Sequence, residues 1–63
     1  SSLHRQGYAG EEMIRRAAAE WYGGRGNNHL YDTTHPQYYN GIAYPSFRDY
    51  TTNIWNMYQR GGQ

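Results

Sequence analysis

Histidine and carboxylate side chains are the groups of this chain that could bind a metal or exchange protons. The histidines are His4, His29 and His35, and five further residues are Asp or Glu. The histidines lack the i, i+4 spacing of a helical metal site, and His29 with Asp32 is a single pair in a polar segment. We therefore interpret the histidines as surface residues and expect no metal site.

The remaining candidates for catalysis also have a simpler explanation. Glu11 and Glu12 are adjacent, and adjacent residues of a helix do not face one another, so they do not form an acid and base pair. The chain contains no cysteine, which excludes a thiol nucleophile, a thiolate zinc site and a disulfide framework. The glycine-rich run 23–26 lacks the Gly-Lys-Ser/Thr ending of a phosphate-binding loop. We therefore expect no enzymatic activity and no cofactor.

Composition raises the question of what holds such a chain together. Leu, Ile, Val and Phe together account for six of 63 residues, well below the roughly 20% at which disorder becomes a serious alternative. The chain instead contains eleven aromatic residues, of which eight are Tyr. Tyrosine is common at protein interfaces. Below about 70 to 80 residues, a chain without disulfides usually needs a metal, an oligomer or a host surface. We expect a chain that is not an independent globular domain.

The first predicted helix covers residues 10–22 and follows an extended lead-in over residues 1–9. Two glutamates suit its N-terminus, three alanines have high helix propensity, and Gly23 and Gly24 end it. The charged residues Arg15 and Arg16 are predicted to point away from the apolar stripe. That stripe consists of Met13, Ile14, Ala17, Ala18 and Trp21.

The segment 23–45 is rich in Tyr, Gly and Asn and is predicted to be a long irregular loop. Asn40-Gly41 matches a type I′ hairpin turn, but the flanking apolar runs are too short for us to assign strands. Its tyrosines could stack on unpaired bases. However, Arg25 is the one Arg or Lys of the loop, and a net charge of +1 gives only weak electrostatic attraction to nucleic-acid phosphates. Nucleic acid is therefore a less favoured partner than protein.

The second predicted helix covers residues 46–60, with a short tail over 61–63. Ser46 can cap its first amides, and Asp49 occupies the acidic position three residues later. The fold class is therefore mainly α, with two short amphipathic helices joined by the long loop. The aromatic and apolar faces of both helices are the predicted partner-binding residues: Ile14, Trp21, Phe47, Tyr50, Ile54, Trp55, Met57 and Tyr58.

Two motifs resemble a known family. Ala-Ala-Ala-Glu-Trp-Tyr-Gly-Gly ends at Gly24, Tyr-Pro-Ser-Phe-Arg-Asp-Tyr-Thr begins at Tyr44, and Ile54-Trp55 follows. This order, over about residues 14–58, resembles the C-terminal stretch of phage tail tape-measure and tail-associated lytic transglycosylase proteins. Muralytic members carry a catalytic Glu, typically followed by Ser, in a lysozyme-like domain. Here Glu20 is followed by Trp, so the resemblance does not imply that activity.

The resemblance implies a location in the virion, in the lumen of a tail tip. There the segment would pack against hub and baseplate proteins, in several symmetric copies. The alternatives are a small protein of a filament lattice, such as a microtubule inner protein, and a single-stranded nucleic-acid binder. The chain has neither an apolar run of membrane-spanning length nor the apolar region of a secretory signal. If the chain does not belong to a virion, we therefore expect it in an intracellular assembly. Its Ser-Ser start suggests a processed product, a fragment or a cloning scar.

Overall fold

The computed structural model describes residues 2–61, and within them the chain is mainly α. Two helices, α2 (Gly10–Gly23) and α3 (Phe47–Gly61), pack against each other and carry most of the structure. None of the helices within residues 2–61 has the length and apolar character needed to cross a membrane. The elements in chain order are α1 (Ser2–Arg5), α2 (Gly10–Gly23), a 3₁₀ helix (Asn28–Leu30), β1 (Gln37–Tyr39), β2 (Ile42–Tyr44) and α3 (Phe47–Gly61).

The ends of the two main helices lie within one residue of their predicted positions. Helix α2 ends at Gly23, and the next residue, Gly24, has a positive φ of 97° and donates its N–H to the Glu20 carbonyl at 2.8 Å. Helix α3 begins after Ser46, whose Oγ accepts a hydrogen bond from the Asp49 N–H at 3.1 Å. Both termini are therefore closed by the cap chemistry that the sequence indicates.

The lead-in over 1–9 is not extended as predicted, because it contains the short helix α1. Leu3 is buried at 4% exposure, and its carbonyl accepts the Tyr8 N–H at 3.2 Å. Helix α1 packs against α2 and buries Leu3. This single tertiary contact leaves no periodic pattern in the sequence, so α1 is not predicted. Residue 1 of the lead-in and residues 62 and 63 of the predicted tail lie outside the described residues, and Gly61 is the last residue of α3.

The predicted irregular loop contains a β-hairpin. Strands β1 and β2 pair antiparallel with Tyr39 opposite Ile42, so the turn is formed by Asn40 and Gly41 alone. Their φ angles are 52° and 77°, and a type I′ turn needs positive φ at both central residues. The Asn-Gly signal was therefore correct, and assigning an irregular loop there was wrong.

The core between α2 and α3 is made of small residues and one aromatic cluster. Ala18, Ala19 and Thr51 are buried, which lets the two helix backbones approach closely. Tyr22 stacks on Tyr50 with ring centroids 4.3 Å apart and meets the Phe47 ring edge-on at 5.2 Å. The alanines that raise helix propensity in the sequence thus also provide the close contact.

Candidate docking surface

Two arginines of α2 are packed inside the fold. Arg15 pairs with Asp32 at 2.6 Å, donates its Nε–H to Thr51 Oγ1 at 3.1 Å, and lies 5.0 Å from the Tyr31 ring centroid. Its side chain is 12% exposed. The sequence predicts only that Arg15 points away from the apolar stripe, and the partners that enclose it there come from parts of the chain distant in sequence.

Arg16 is held in the same way. Its guanidinium forms a 2.9 Å pair with Glu12 and donates to Asn28 Oδ1 at 2.8 Å. It lies over the rings of Tyr8 and Tyr31, at 4.1 Å and 4.7 Å. Planar guanidinium groups suit such stacking. Arg16 therefore ties the 3₁₀ helix and the lead-in to α2, and the guanidinium groups of both arginines are engaged by side chains of this chain.

The apolar stripe of α2 lines an open groove between the two helices. This helix groove has a volume of about 250 Å³, and Trp21 at its edge is 88% exposed. The groove brings together four predicted partner-binding residues, Ile14, Trp21, Tyr50 and Ile54, with two alanines. We define the helix groove by its lining residues Ile14, Ala17, Ala18, Trp21, Tyr50 and Ile54.

The last two turns of α3 carry a second apolar surface. Met57 and Tyr58 are 51% and 58% exposed, and Trp55 stacks on Tyr58 with centroids 5.8 Å apart. We call Trp55, Met57 and Tyr58 the terminal patch. Ile54 lies three and four residues before Met57 and Tyr58, so helical spacing makes the terminal patch continue from the helix groove.

Phe47 belongs neither to the helix groove nor to the terminal patch, although the sequence pattern predicts it to be a partner-binding residue. Its side chain is buried at 5% exposure against Tyr22 and Gly23. As the first residue of α3, it faces the C-terminal end of α2 and not solvent. The assignment of Phe47 to partner binding is therefore corrected to a core role.

A second concave surface lies between the hairpin and the C-terminal end of α2. This hairpin groove has a volume of about 430 Å³. Sequence reasoning missed it because the strands were not assigned, although the Asn-Gly turn was the available signal. Its lining includes Tyr22, Asn27, Gln37, Tyr39, Tyr44 and Phe47.

Tyr22 connects the two grooves. Its ring stacks on Tyr50 of the helix groove, and its hydroxyl donates to the Pro45 carbonyl at 2.6 Å. Burial raises the pKa of the Tyr22 phenol above its usual 10.0, and the nearby phenols of Tyr50 and Tyr44 raise it further. Tyr22 is therefore neutral at ordinary pH and acts as a hydrogen-bond donor.

Among residues 2–61, no group of three or more His, Asp or Glu side chains is placed to hold a metal ion. Glu11 and Glu12 each pair with the arginine four residues later, which is the arrangement expected of helix-surface charges.

Comparisons with protein families, with curated proteins and with solved structures give no match for this chain. The exposed aromatic surfaces and the sequence motifs are therefore the features of this chain that indicate a function.

Proposed function

We propose that this chain is a structural segment that docks into a larger protein assembly through the helix groove and the terminal patch. The observation that carries the proposal is Trp21, which is 88% exposed at the edge of an apolar groove. Trp is enriched among the residues that dominate binding energy at protein interfaces.

The energetics favour a partner on this surface. Trp21, Met57 and Tyr58 leave large apolar side chains in water, and burying such a side chain is worth about 1.5 to 3 kcal/mol. The core of the chain is small, with four buried hydrophobic residues among those described, namely Leu3, Ala18, Ala19 and Phe47. A partner that covers the helix groove would extend this core and stabilise the fold by mass action.

For the assembly itself, we propose the tip of a phage tail, with the chain packed against hub or baseplate proteins in several symmetric copies. This proposal rests on the resemblance over residues 14–58. The Trp21-Tyr22 motif lies at the end of α2 and the Pro45-Ser46 motif just before α3, and Trp21 lines the helix groove. The role is non-enzymatic. A protein of a filament lattice remains the alternative assembly.

Incorporation of variant chains tests the proposal. Trp21→Ala removes the most exposed apolar side chain without touching the core, so we expect the variant to fold and to be lost from purified tail particles. Ile42→Ala is the matched control, because Ile42 is also exposed, at 56%, but lies on the hairpin. Equal incorporation of both variants and the parent would contradict docking through the helix groove.

A further inference from the structure

The hairpin groove has the size of a ligand site. Its volume of about 430 Å³ falls within the range of about 300 to 1,000 Å³ for small-molecule sites. Because β1 and β2 pair with Gln37 opposite Tyr44 and Tyr39 opposite Ile42, these four side chains share one face of the hairpin. Three of them, Gln37, Tyr39 and Tyr44, line the groove, and Tyr38 from the other face of the hairpin also contributes to its lining.

The electrostatics of the groove favour an uncharged ligand. Within residues 2–61, no Asp, Glu, Arg or His side chain lines it. A phosphate or carboxylate ligand would therefore lose its hydration without gaining an opposite charge. Single-stranded nucleic acid, which relies on basic groups along its backbone, fits this lining poorly.

The groove contains tyrosine hydroxyls and two side-chain amides, those of Asn27 and Gln37, and the amide oxygens can accept hydrogen bonds. Asn27 Nδ2 donates to the Gly23 carbonyl at 2.6 Å, and Gln37 Nε2 donates to the His35 carbonyl at 3.2 Å. These bonds fix the amide nitrogens on the backbone, and the structure assigns no partner within residues 2–61 to either amide oxygen. A ligand with several O–H donors satisfies such oxygens, whereas a proline-rich peptide has no N–H at its prolines.

The aromatic side chains offer open ring surfaces beside these acceptors. Tyr39 is 69% exposed and Tyr44 40% exposed. The face of an aromatic ring is electron-rich and attracts weakly positive C–H groups. A pyranose ring presents C–H groups on its faces and hydroxyl groups around its edge, so it can stack on a tyrosine while its hydroxyls reach the amides.

We propose that the hairpin groove binds a neutral oligosaccharide of pyranose sugars. Tyr39 and Tyr44 stack on the sugar rings, and the amide oxygens of Gln37 and Asn27 accept bonds from sugar hydroxyls. Such a site is separate from the helix groove, so its function does not depend on docking of the chain into an assembly.

Titration of the full chain with cellohexaose and with chitohexaose tests this site, using amide NMR spectra to follow the hairpin and residues 23–27. We expect saturable shifts confined to these segments with at least one of the two sugars. The absence of saturable shifts with both sugars would overturn the proposal.

Matched variants locate the contacts. Tyr39→Ala should weaken binding by about tenfold or more, while Tyr39→Phe, which keeps the ring, should stay within about threefold of the parent. Gln37→Ala should also weaken binding, while Gln59→Ala, which removes an exposed amide from α3, should not. Equal affinity of Tyr39→Ala and the parent would overturn the assignment. Saturation of the same hairpin amides by polyproline or oligothymidine, with the sugars inactive, would overturn it in favour of those ligands.

Discussion

The ring of Phe47 occupies the space next to Gly23 where any other residue would place its Cβ. A Cβ built on Gly23 would lie 2.5 Å from Phe47 Cζ and 2.7 Å from Cε1, closer than carbon atoms can pack. Gly23 lies in the last turn of α2 with ordinary helical backbone, so the glycine is required by packing and not by its φ angle. This contact joins the end of α2 to the first residue of α3.

Gly23→Ala should therefore destabilise the chain, although alanine is the better helix former. Over-packing of a core contact costs about 1 to 3 kcal/mol, more than the roughly 1 kcal/mol that alanine gains over glycine in a helix. Gly61→Ala is the matched control, because a Cβ there meets no atom within 4 Å, and it should leave stability unchanged or raise it. Urea unfolding followed by circular dichroism measures both, and a stabilised Gly23→Ala would refute the packing argument.

Local signals predicted the helices and their ends, because caps and propensity act over a few residues. Ser46 and Gly24 close the helices as expected. The Asn40-Gly41 turn carried a correct signal, but its three-residue strands are too short to show alternation. The hairpin groove is missed for the same reason, because no strands are assigned on either side of the turn.

The packed face of α2 was harder to predict, because its partners come from distant parts of the chain. The sequence predicts that Arg15 points away from the apolar stripe, but it does not predict that Asp32 pairs with this arginine and that Thr51 accepts a hydrogen bond from it. Trp21 was expected on an apolar stripe and lies on it, but the stripe lines an open groove. Hydropathy spacing identifies an apolar face without saying whether this chain or a partner covers it.

Thr51 should be sensitive to loss of its hydroxyl. The side chain is fully buried, accepts from Arg15 Nε and donates to the Tyr31 carbonyl at 2.8 Å. Thr51→Val keeps the shape but leaves both groups without this partner, which should cost about 1 to 3 kcal/mol. Thr52→Val makes the same chemical change at a half-buried position and should have a small effect. Equal unfolding free energies for the two variants would refute this role of Thr51.

Tyr22 should make stability depend on pH in the alkaline range. Because its pKa is raised in the fold above the usual 10.0, the unfolded chain loses this proton first as pH rises. The stability that neutral Tyr22 contributes is therefore complete below pH 10.0 and is lost as pH increases through the folded pKa. Tyr22→Phe removes the hydrogen bond to the Pro45 carbonyl, which should cost about 1 kcal/mol of unfolding free energy. The phenylalanine side chain cannot ionise, so its contribution does not change with pH.

The difference in unfolding free energy between the parent and Tyr22→Phe isolates this group from the other tyrosines. We expect the parent to be the more stable at about pH 8, and its advantage to shrink or reverse at about pH 11. Urea unfolding at both pH values supplies the comparison. A constant difference would show that the phenol has the same pKa in both states.

The terminal patch should take part in docking together with the helix groove. Met57 is exposed, so Met57→Glu leaves the core intact, and a carboxylate there also lies three residues from Arg60, which favours the helix. Burial of that carboxylate against a partner would be costly, so we expect the variant to fold but to be excluded from the assembled particle. Gln59→Glu adds the same charge at an exposed position next to the patch and should incorporate normally. If Met57→Glu incorporates like the parent while Trp21→Ala does not, docking is confined to the helix groove, and the exposed end of α3 has another role.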